Sequence, residues 1–169
     1  MDGLDEVRRK FFGTLHNTYA FFALYANVDG FKYEEDEIAL DQRPEMDQWI
    51  LSELHTLIAQ VEDGMESFEP TRAFRPVQEF TTEKLSNWYV RLGRRRFWKG
   101  DYAQDKISAY QTLWTCLETL SRLMAPLAPF YGDQLYSDLY DGVTLKGKGS
   151  VHLTDFPVSD ASYINTDLE

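Results

Sequence analysis

The chain has 169 residues, of which 43% are hydrophobic and 15% aromatic, and its formal net charge is −11 at pH 7. This length and composition fit one globular domain and exclude a disordered or collagen-like chain. The single cysteine, Cys116, excludes a disulfide framework and a cysteine-based zinc site, and it suits a reducing compartment. The sequence has neither the run of about 20 apolar residues that a membrane span needs nor a typical signal peptide.

The first predicted elements are two long helices. Apolar residues spaced three and four apart predict a helix from Leu4 to about Ala26, and residues 27–30 (NVDG) predict the turn that ends it. Pro44 suits the first turn of a second helix, because proline tolerates that position. The apolar stripe of this second helix continues for about six turns, to Phe68.

A third helix is predicted from Thr71 to Trp98, after the helix-breaking Pro70. Its predicted buried face contains Phe74, Val77, Thr81, Leu85, Trp88 and Leu92. Asp101 and Gln104 resemble a capping box at the start of a fourth helix, which continues to Met124.

A short fifth helix is predicted between Pro129 and Tyr140, and the composition changes after it. Glycines and lysines in residues 141–149 predict a loop, residues 150–156 predict a short extended segment, and a polar tail follows. The expected fold class is therefore all-α. Residues 1–140 would form an antiparallel bundle of four long helices and a short fifth, with residues 141–169 packed on the bundle or trailing it.

The charge is unevenly distributed along the chain. The segment from Arg72 to Lys106 holds nine basic and four acidic residues, a net charge of +5, so the rest of the chain carries −16. An acidic protein repels phosphate as a whole, but a basic segment within it can still attract nucleic acid. The overall charge therefore does not exclude an RNA-binding function.

The basic segment combines arginines with aromatic residues near the end of the third helix. A helical turn of about 100° per residue places Arg91 and Arg95 on one face, continued by Trp98 and Lys99, and Arg94 one turn before Trp98. This combination suits single-stranded RNA, because guanidinium groups bind phosphates and aromatic rings stack on unpaired bases. The alternative is that the aromatic residues belong to the core and the arginines pair with acidic residues elsewhere.

No motif in the sequence indicates catalysis by this chain alone. It contains no glycine-rich phosphate loop, no GxSxG and no HExxH. His16, His55 and His152 fall in three separate predicted elements, which does not suit a shared metal ion. Cys116 lies beside the apolar stripe of the fourth helix without a basic neighbour, so we expect a buried, inert thiol.

Four segments of the sequence carry a family resemblance: residues 44–54 (PEMDQWILSEL), 85–91 (LSNWYVR), 94–100 (RRRFWKG) and 124–130 (MAPLAPF). Together they resemble the anticodon-binding domain of the isoleucyl-tRNA synthetases, a class I aminoacyl-tRNA synthetase family. Residues 7–19 and 150–157 extend the resemblance over about residues 4–157. D-x-W-I-L and A-P-x-x-P-F are shared with the valyl and leucyl enzymes, whereas SNWYVR together with RRRFW is typical of the isoleucyl type.

The resemblance implies that the chain is a segment of a longer, cytoplasmic isoleucine–tRNA ligase. The whole enzymes use ATP and Mg²⁺, and often zinc, to attach isoleucine to its tRNA. Their HIGH and KMSKS catalytic signatures are absent from this sequence, so this segment is expected to lack catalytic activity and to bind no cofactor. The implied partners are the anticodon arm of isoleucine tRNA and the remainder of the synthetase, but neither DNA nor a membrane.

The basic motif of the family coincides with the basic segment, which gives a set of candidate RNA-binding residues. The candidates are Arg91, Arg94, Arg95, Arg96 and Lys99 for phosphate contact and Trp98 for base stacking. Trp49, Trp88 and Tyr89 also match family motifs, but they fall on or beside apolar faces and are expected in the core. Two alternatives remain: a docking module of a valyl- or leucyl-type synthetase, or a structural interdomain bundle without RNA contact.

Overall fold

The computed structural model describes residues 2–143, 145–147 and 149–169, and all regular structure in these ranges is helical. The five long helices are α1 (residues 2–29), α2 (Glu45–Glu66), α3 (residues 70–98), α4 (Gln104–Met124) and α5 (Pro129–Asp141). Three short 3₁₀ segments accompany them: Leu40–Gln42, Val151–Leu153 and Ala161–Tyr163. The all-α prediction is confirmed. Within these ranges, no helix is long and apolar enough to span a membrane.

Proline and glycine set most of the helix ends, as predicted. Gly30 ends α1 in the left-handed conformation, with φ of 71°, which glycine adopts without a steric penalty. Pro44 precedes α2, and its carbonyl accepts the first helical hydrogen bonds. The capping box predicted at Asp101 is wrong, because Ala103 occupies the N-cap position of α4 and no side chain caps that helix.

Helix α4 lies at the centre of the bundle. Of its 21 residues 16 are buried, because α1, α2, α3 and α5 all pack against it. Cys116 is completely buried in this helix, which confirms the expected burial, and burial raises the pKa of its thiol, which favours an unreactive cysteine.

The buried face of α3 differs from the predicted one because residues Phe80–Val90 form a π-helix. A π-helix is closed by i→i+5 hydrogen bonds and therefore has more residues per turn than the 3.6 of an α-helix. The buried line therefore recurs every four residues: Ala73, Val77, Thr81, Leu85, Tyr89, Gly93 and Phe97. Trp88 and Leu92, predicted on the buried face, are instead 58% and 59% exposed.

The segment after α5 packs on the bundle at two places. Asp133 of α5 accepts hydrogen bonds from the Ser150 hydroxyl at 2.6 Å and the Val151 N–H at 2.9 Å, and Val151 is buried. The segment predicted as extended thus contains one 3₁₀ turn. Further on, the Ser159 hydroxyl donates to the carbonyl of His55 on α2, at 2.8 Å. Thr144 and Lys148 of the predicted loop lie outside the described residues.

Candidate nucleic-acid interface

The last turns of α3 carry four exposed cations on their outer side. Arg91, Arg94, Arg95 and Lys99 are all exposed, and none of their side chains forms a hydrogen bond or ion pair in the described ranges. We call these four residues the outer cations. Arg94 lies over the ring of Trp98, 5.3 Å from its centre, as the sequence predicts. Trp98 is 50% exposed, so it is accessible to a ligand.

Arg96 has a different environment from the outer cations. Its guanidinium donates to both carboxylate oxygens of Asp47, at 2.6 and 2.8 Å, and its Nε donates to the carboxylate of Asp105, at 3.0 Å. Only 16% of the Arg96 side chain is exposed. Burial opposes the charge of Arg96, but the hydrogen bonds with Asp47 and Asp105 and the electrostatic attraction of Asp47 and Tyr89 together outweigh it and raise the pKa above its ordinary value.

Asp47 is the centre of this buried network and was missed in the sequence. It is completely buried and also accepts hydrogen bonds from the Tyr89 hydroxyl, at 2.7 Å, and the Ser108 hydroxyl, at 2.5 Å. Burial, together with the Asp47 carboxylate, raises the pKa of Tyr89 well above its ordinary value. The network joins α2, α3 and α4. The sequence signal that could have revealed this network is the position of Asp47. It lies three residues before Ile50, which places a carboxylate beside the apolar stripe of α2.

Helix geometry explains how three consecutive arginines reach different surroundings. Gly93 and Phe97 are both buried, so the line between them faces the core. With about 100° per residue, Arg95 lies opposite this line, while Arg94 and Arg96 flank it on either side. The flank of Arg96 meets the carboxylates of α2 and α4, whereas the flank of Arg94 meets Trp98.

Most other cations of the basic segment are paired. The ion pairs are Arg72 with Asp63 at 2.5 Å, Lys84 with Glu53, Lys106 with Asp29 at 3.0 Å, and Arg96 as above. Arg75 is exposed near the start of α3, far along the helix from the outer cations. Unpaired positive charge is therefore concentrated at the end of α3, within nine residues of sequence.

Trp88 adds an exposed aromatic ring to the same helix. The prediction that Trp88 belongs to the core is wrong, since the π-helix turns it outward; the prediction for Tyr89 is confirmed, because that side chain is fully buried. Trp49 of α2 is half-buried, packs against the core and lies 6.4 Å from Trp88 between ring centres. The exposed face of α3 thus carries Trp88, Leu92 and Trp98 among the outer cations.

The described residues include no group of three or more His, Cys, Asp or Glu side chains able to hold a metal ion. His16 is exposed on α1, His55 is half-buried on α2, and His152 is exposed after α5. The chemistry available at the end of α3 is therefore that of cations and aromatic rings, which bind phosphate groups and stack on bases.

Known proteins resemble this chain along its length. Residues 47–169 match the family described as the anticodon-binding domain of tRNA ligase. The isoleucine–tRNA ligase of Porphyromonas gingivalis is 60% identical over 169 residues, 99% of this chain and 14% of that protein. The isoleucine–tRNA ligase of Bacteroides fragilis is 56% identical over 100% of this chain and 15% of that protein. That of Clostridium tetani is 40% identical over 99% of this chain and 16% of that protein.

The chain spans 14–16% of the length of these curated relatives. The family match covers well over half of the chain, and it includes the D-x-W-I-L, SNWYVR and RRRFW segments. The resemblance seen in the sequence is confirmed: the chain belongs to the anticodon-binding domain family of the tRNA ligases.

Proposed function

We propose that this chain is the segment of a cytoplasmic isoleucine–tRNA ligase that binds the anticodon arm of isoleucine tRNA. The observation that carries the proposal is the cluster of outer cations, unpaired in the described structure, around the exposed Trp98. Arginine and lysine side chains bind the phosphates of an RNA loop, and Trp98 offers a ring on which an unpaired base stacks. The attachment of isoleucine, with ATP and Mg²⁺, would take place elsewhere in the whole enzyme.

The charge distribution supports an approach of RNA to this end of the bundle. Outside the basic segment the chain carries a net charge of −16, which repels an RNA backbone. The outer cations are the local exception, because their positive charge attracts an RNA backbone. Arg96, a candidate from its sequence motif, has its donors directed to Asp47 and Asp105. We therefore assign Arg96 to holding α3 in place rather than to contacting RNA.

The opposite end of the bundle favours a second contact, with the remainder of the synthetase. Phe68 and Phe130 are 92% and 90% exposed there, and Leu127 is 58% exposed. Beside them, α1, α3 and the turn after α4 enclose a largely apolar groove of about 490 Å³. Exposed apolar surface of this kind marks an interaction site. Helix α4, about 30 Å long, separates this end from the outer cations, so the two contacts do not compete.

A charge-matched pair of double variants tests the RNA contact. We expect Arg94→Ala/Arg95→Ala to weaken binding of an isoleucine-tRNA anticodon stem-loop about tenfold or more at 100 mM salt, measured by fluorescence anisotropy. Each lost phosphate contact lowers the slope of log affinity against log salt by about 0.7 to 0.9. Arg72→Ala/Arg75→Ala removes the same charge from the other end of α3 and should leave affinity and slope nearly unchanged.

The same measurement separates the proposal from its alternative. Equal affinities for the wild type and Arg94→Ala/Arg95→Ala, with unchanged circular dichroism, would mean that the outer cations do not bind RNA. The bundle would then serve as an interdomain structural element. Equal losses in both double variants would mean that only the overall charge matters, which also contradicts a defined interface.

A further inference from the structure

We propose that the groove between α2 and α3 beside Trp88 binds an unpaired nucleobase that carries an exocyclic amino group. This inference rests on the proposed function, because the RNA backbone is taken to follow the outer cations. It adds a base-binding position, Trp88, and a chemical preference that the cations themselves cannot provide.

The groove joins an exposed indole ring to a half-buried one. Trp88 stands at its edge with 58% exposure, and Trp49 and Met46 of α2 line it. The groove has a volume of about 600 Å³. A planar base can therefore stack on Trp88 while its edge points into the groove.

The position of Trp88 on α3 suits an RNA strand that lies along the outer cations. Residues 88, 91, 95 and 99 are spaced three and four apart, so they share one face of the helix. Trp88 and Lys99 are separated by about 16 Å along the helix axis. Phosphates can thus lie against Arg91, Arg95 and Lys99 while one base turns toward Trp88.

The charge inside the groove is opposite to that of the outer cations. Four glutamates and one lysine line it. Three of the carboxylates have partners: Glu53 with Lys84, Glu83 with Asn87, and Glu169 with Ser52 and Thr56. Glu45 is exposed, and its carboxylate forms no hydrogen bond or ion pair within the described ranges. The groove therefore repels phosphate but offers an acceptor to the N–H groups of a base.

A carboxylate acceptor distinguishes between bases of the same size. Cytosine presents an amino donor at C4, where uracil presents a carbonyl acceptor, and glutamate accepts a hydrogen bond from the cytosine amino group. Uracil would place its carbonyl oxygen against the Glu45 carboxylate, which is unfavourable. The groove should consequently prefer cytosine to uracil in an otherwise identical strand.

Binding of the hexanucleotides C₆ and U₆ to the 169-residue chain tests the groove, with fluorescence anisotropy as the readout. We expect the wild type to bind C₆ at least about fivefold more tightly than U₆. Trp88→Ala should weaken binding of both strands by about five- to 150-fold, the loss of one base–aromatic stack. Trp88→Phe should retain most of the affinity. Phe130→Ala removes an even more exposed ring at the other end of the bundle and should change the affinity for neither strand.

A second variant tests the chemical preference separately from stacking. Glu45→Gln can donate as well as accept, so it should bring the affinities for C₆ and U₆ close together while Trp88 still stacks. A wild type that binds U₆ as tightly as C₆ would overturn the preference for an amino group.

The outcomes distinguish this inference from the proposed function. Unchanged binding in Trp88→Ala, together with weaker binding in Arg94→Ala/Arg95→Ala, would overturn the base site but leave the RNA contact of the outer cations intact. Unchanged binding in every variant would overturn both. If Trp88→Ala leaves RNA binding unchanged and instead abolishes self-association in sedimentation velocity, the groove is a protein contact and the base site is overturned.

Discussion

The inner and outer sides of the last turns of α3 carry the same kind of residue in opposite surroundings. On the inner side, Arg96 is 16% exposed and binds the buried Asp47 through two hydrogen bonds. On the outer side, Arg95 is exposed and its side chain has no hydrogen-bond or ion-pair partner within the described ranges. A buried charge must be paired to be tolerated, whereas an exposed one remains available to a ligand. Of these neighbouring arginines, one is thus paired inside the fold and the other remains available to a ligand.

The local basic motif alone therefore does not define the proposed binding surface. RRRF contributes three arginines, and the carboxylates of α2 and α4 take one of them out of the interface. Conversely, the π-helix exposes Trp88, which the 3.6-residue periodicity predicts in the core, and so adds this ring to the candidate surface. Tertiary packing removes one candidate and adds another.

The largest expected effect comes from removing the inner arginine. Arg96→Ala leaves the carboxylate of Asp47 buried without its cation, and breaking a buried ion pair costs about 3–5 kcal/mol. We expect the free energy of unfolding to fall by that amount in urea denaturation followed by circular dichroism. Arg95→Ala, one residue away, should stay within about 0.5 kcal/mol of the wild type because it lies exposed. Equal stabilities of the two variants would contradict the division between inner and outer arginines.

A smaller effect is expected when one other donor to Asp47 is removed. Tyr89→Phe keeps the buried ring and deletes only the hydroxyl that donates to Asp47, at 2.7 Å. A hydrogen bond to a charged group contributes about 1.5–3 kcal/mol, and Arg96 and Ser108 still bind the carboxylate. We therefore expect a loss of about 1.5 kcal/mol in the same urea titration. Stem-loop affinity should be unaffected, since the outer cations are unchanged; a parallel loss of RNA binding would show that the two sides are coupled.

Most of the fold could be predicted from the sequence because its helix ends depend on local chemistry. Gly30, Pro44, Pro70 and Pro129 act within one or two turns of their own position, and α1, α2, α3 and α5 each begin or end beside one of them. The apolar stripe of α4 also predicted its burial. The face of α3 could not be derived in this way, since the change to a π-helix alters the number of residues per turn.

The candidate site was predictable only in part, for a related reason. The pairing of Arg94 with Trp98 spans one helical turn and follows from spacing. Whether Arg94 or Arg96 faces a carboxylate depends on Asp47, 49 residues from Arg96 in sequence. Both arginines flank the buried line symmetrically, so no local pattern separates them.

The smallest effect is expected from a change of pH. Arginines stay charged at any moderate pH, so this change tests a different contact, between α2 and the segment after α5. On α2, Nδ1 of His55 accepts a hydrogen bond from the N–H of Asp160 at 3.0 Å, and its ring stacks on Tyr163 at 4.4 Å. Burial lowers the pKa of His55 below 6.5, although the Asp160 carboxylate opposes this. The unfolded chain therefore takes up the proton more readily, so stability falls as the pH decreases through about 6.5.

Between pH 7 and pH 5 we expect a small fall in the free energy of unfolding, because the lowered pKa of His55 favours protonation of the unfolded chain. A protonated Nδ1 cannot accept the Asp160 hydrogen bond, so amide exchange should accelerate in residues 159–165, after correction for its intrinsic pH dependence, and not around Asp47. In His55→Gln the pH dependence of this exchange should disappear. If it persists, another group is responsible; Asp160 itself is an unsuitable candidate, because hydrogen bonds from Ser162 lower its pKa below 3.8. If His55 is the responsible group, acidification loosens residues 159–165, while the inner and the outer arginines keep their surroundings.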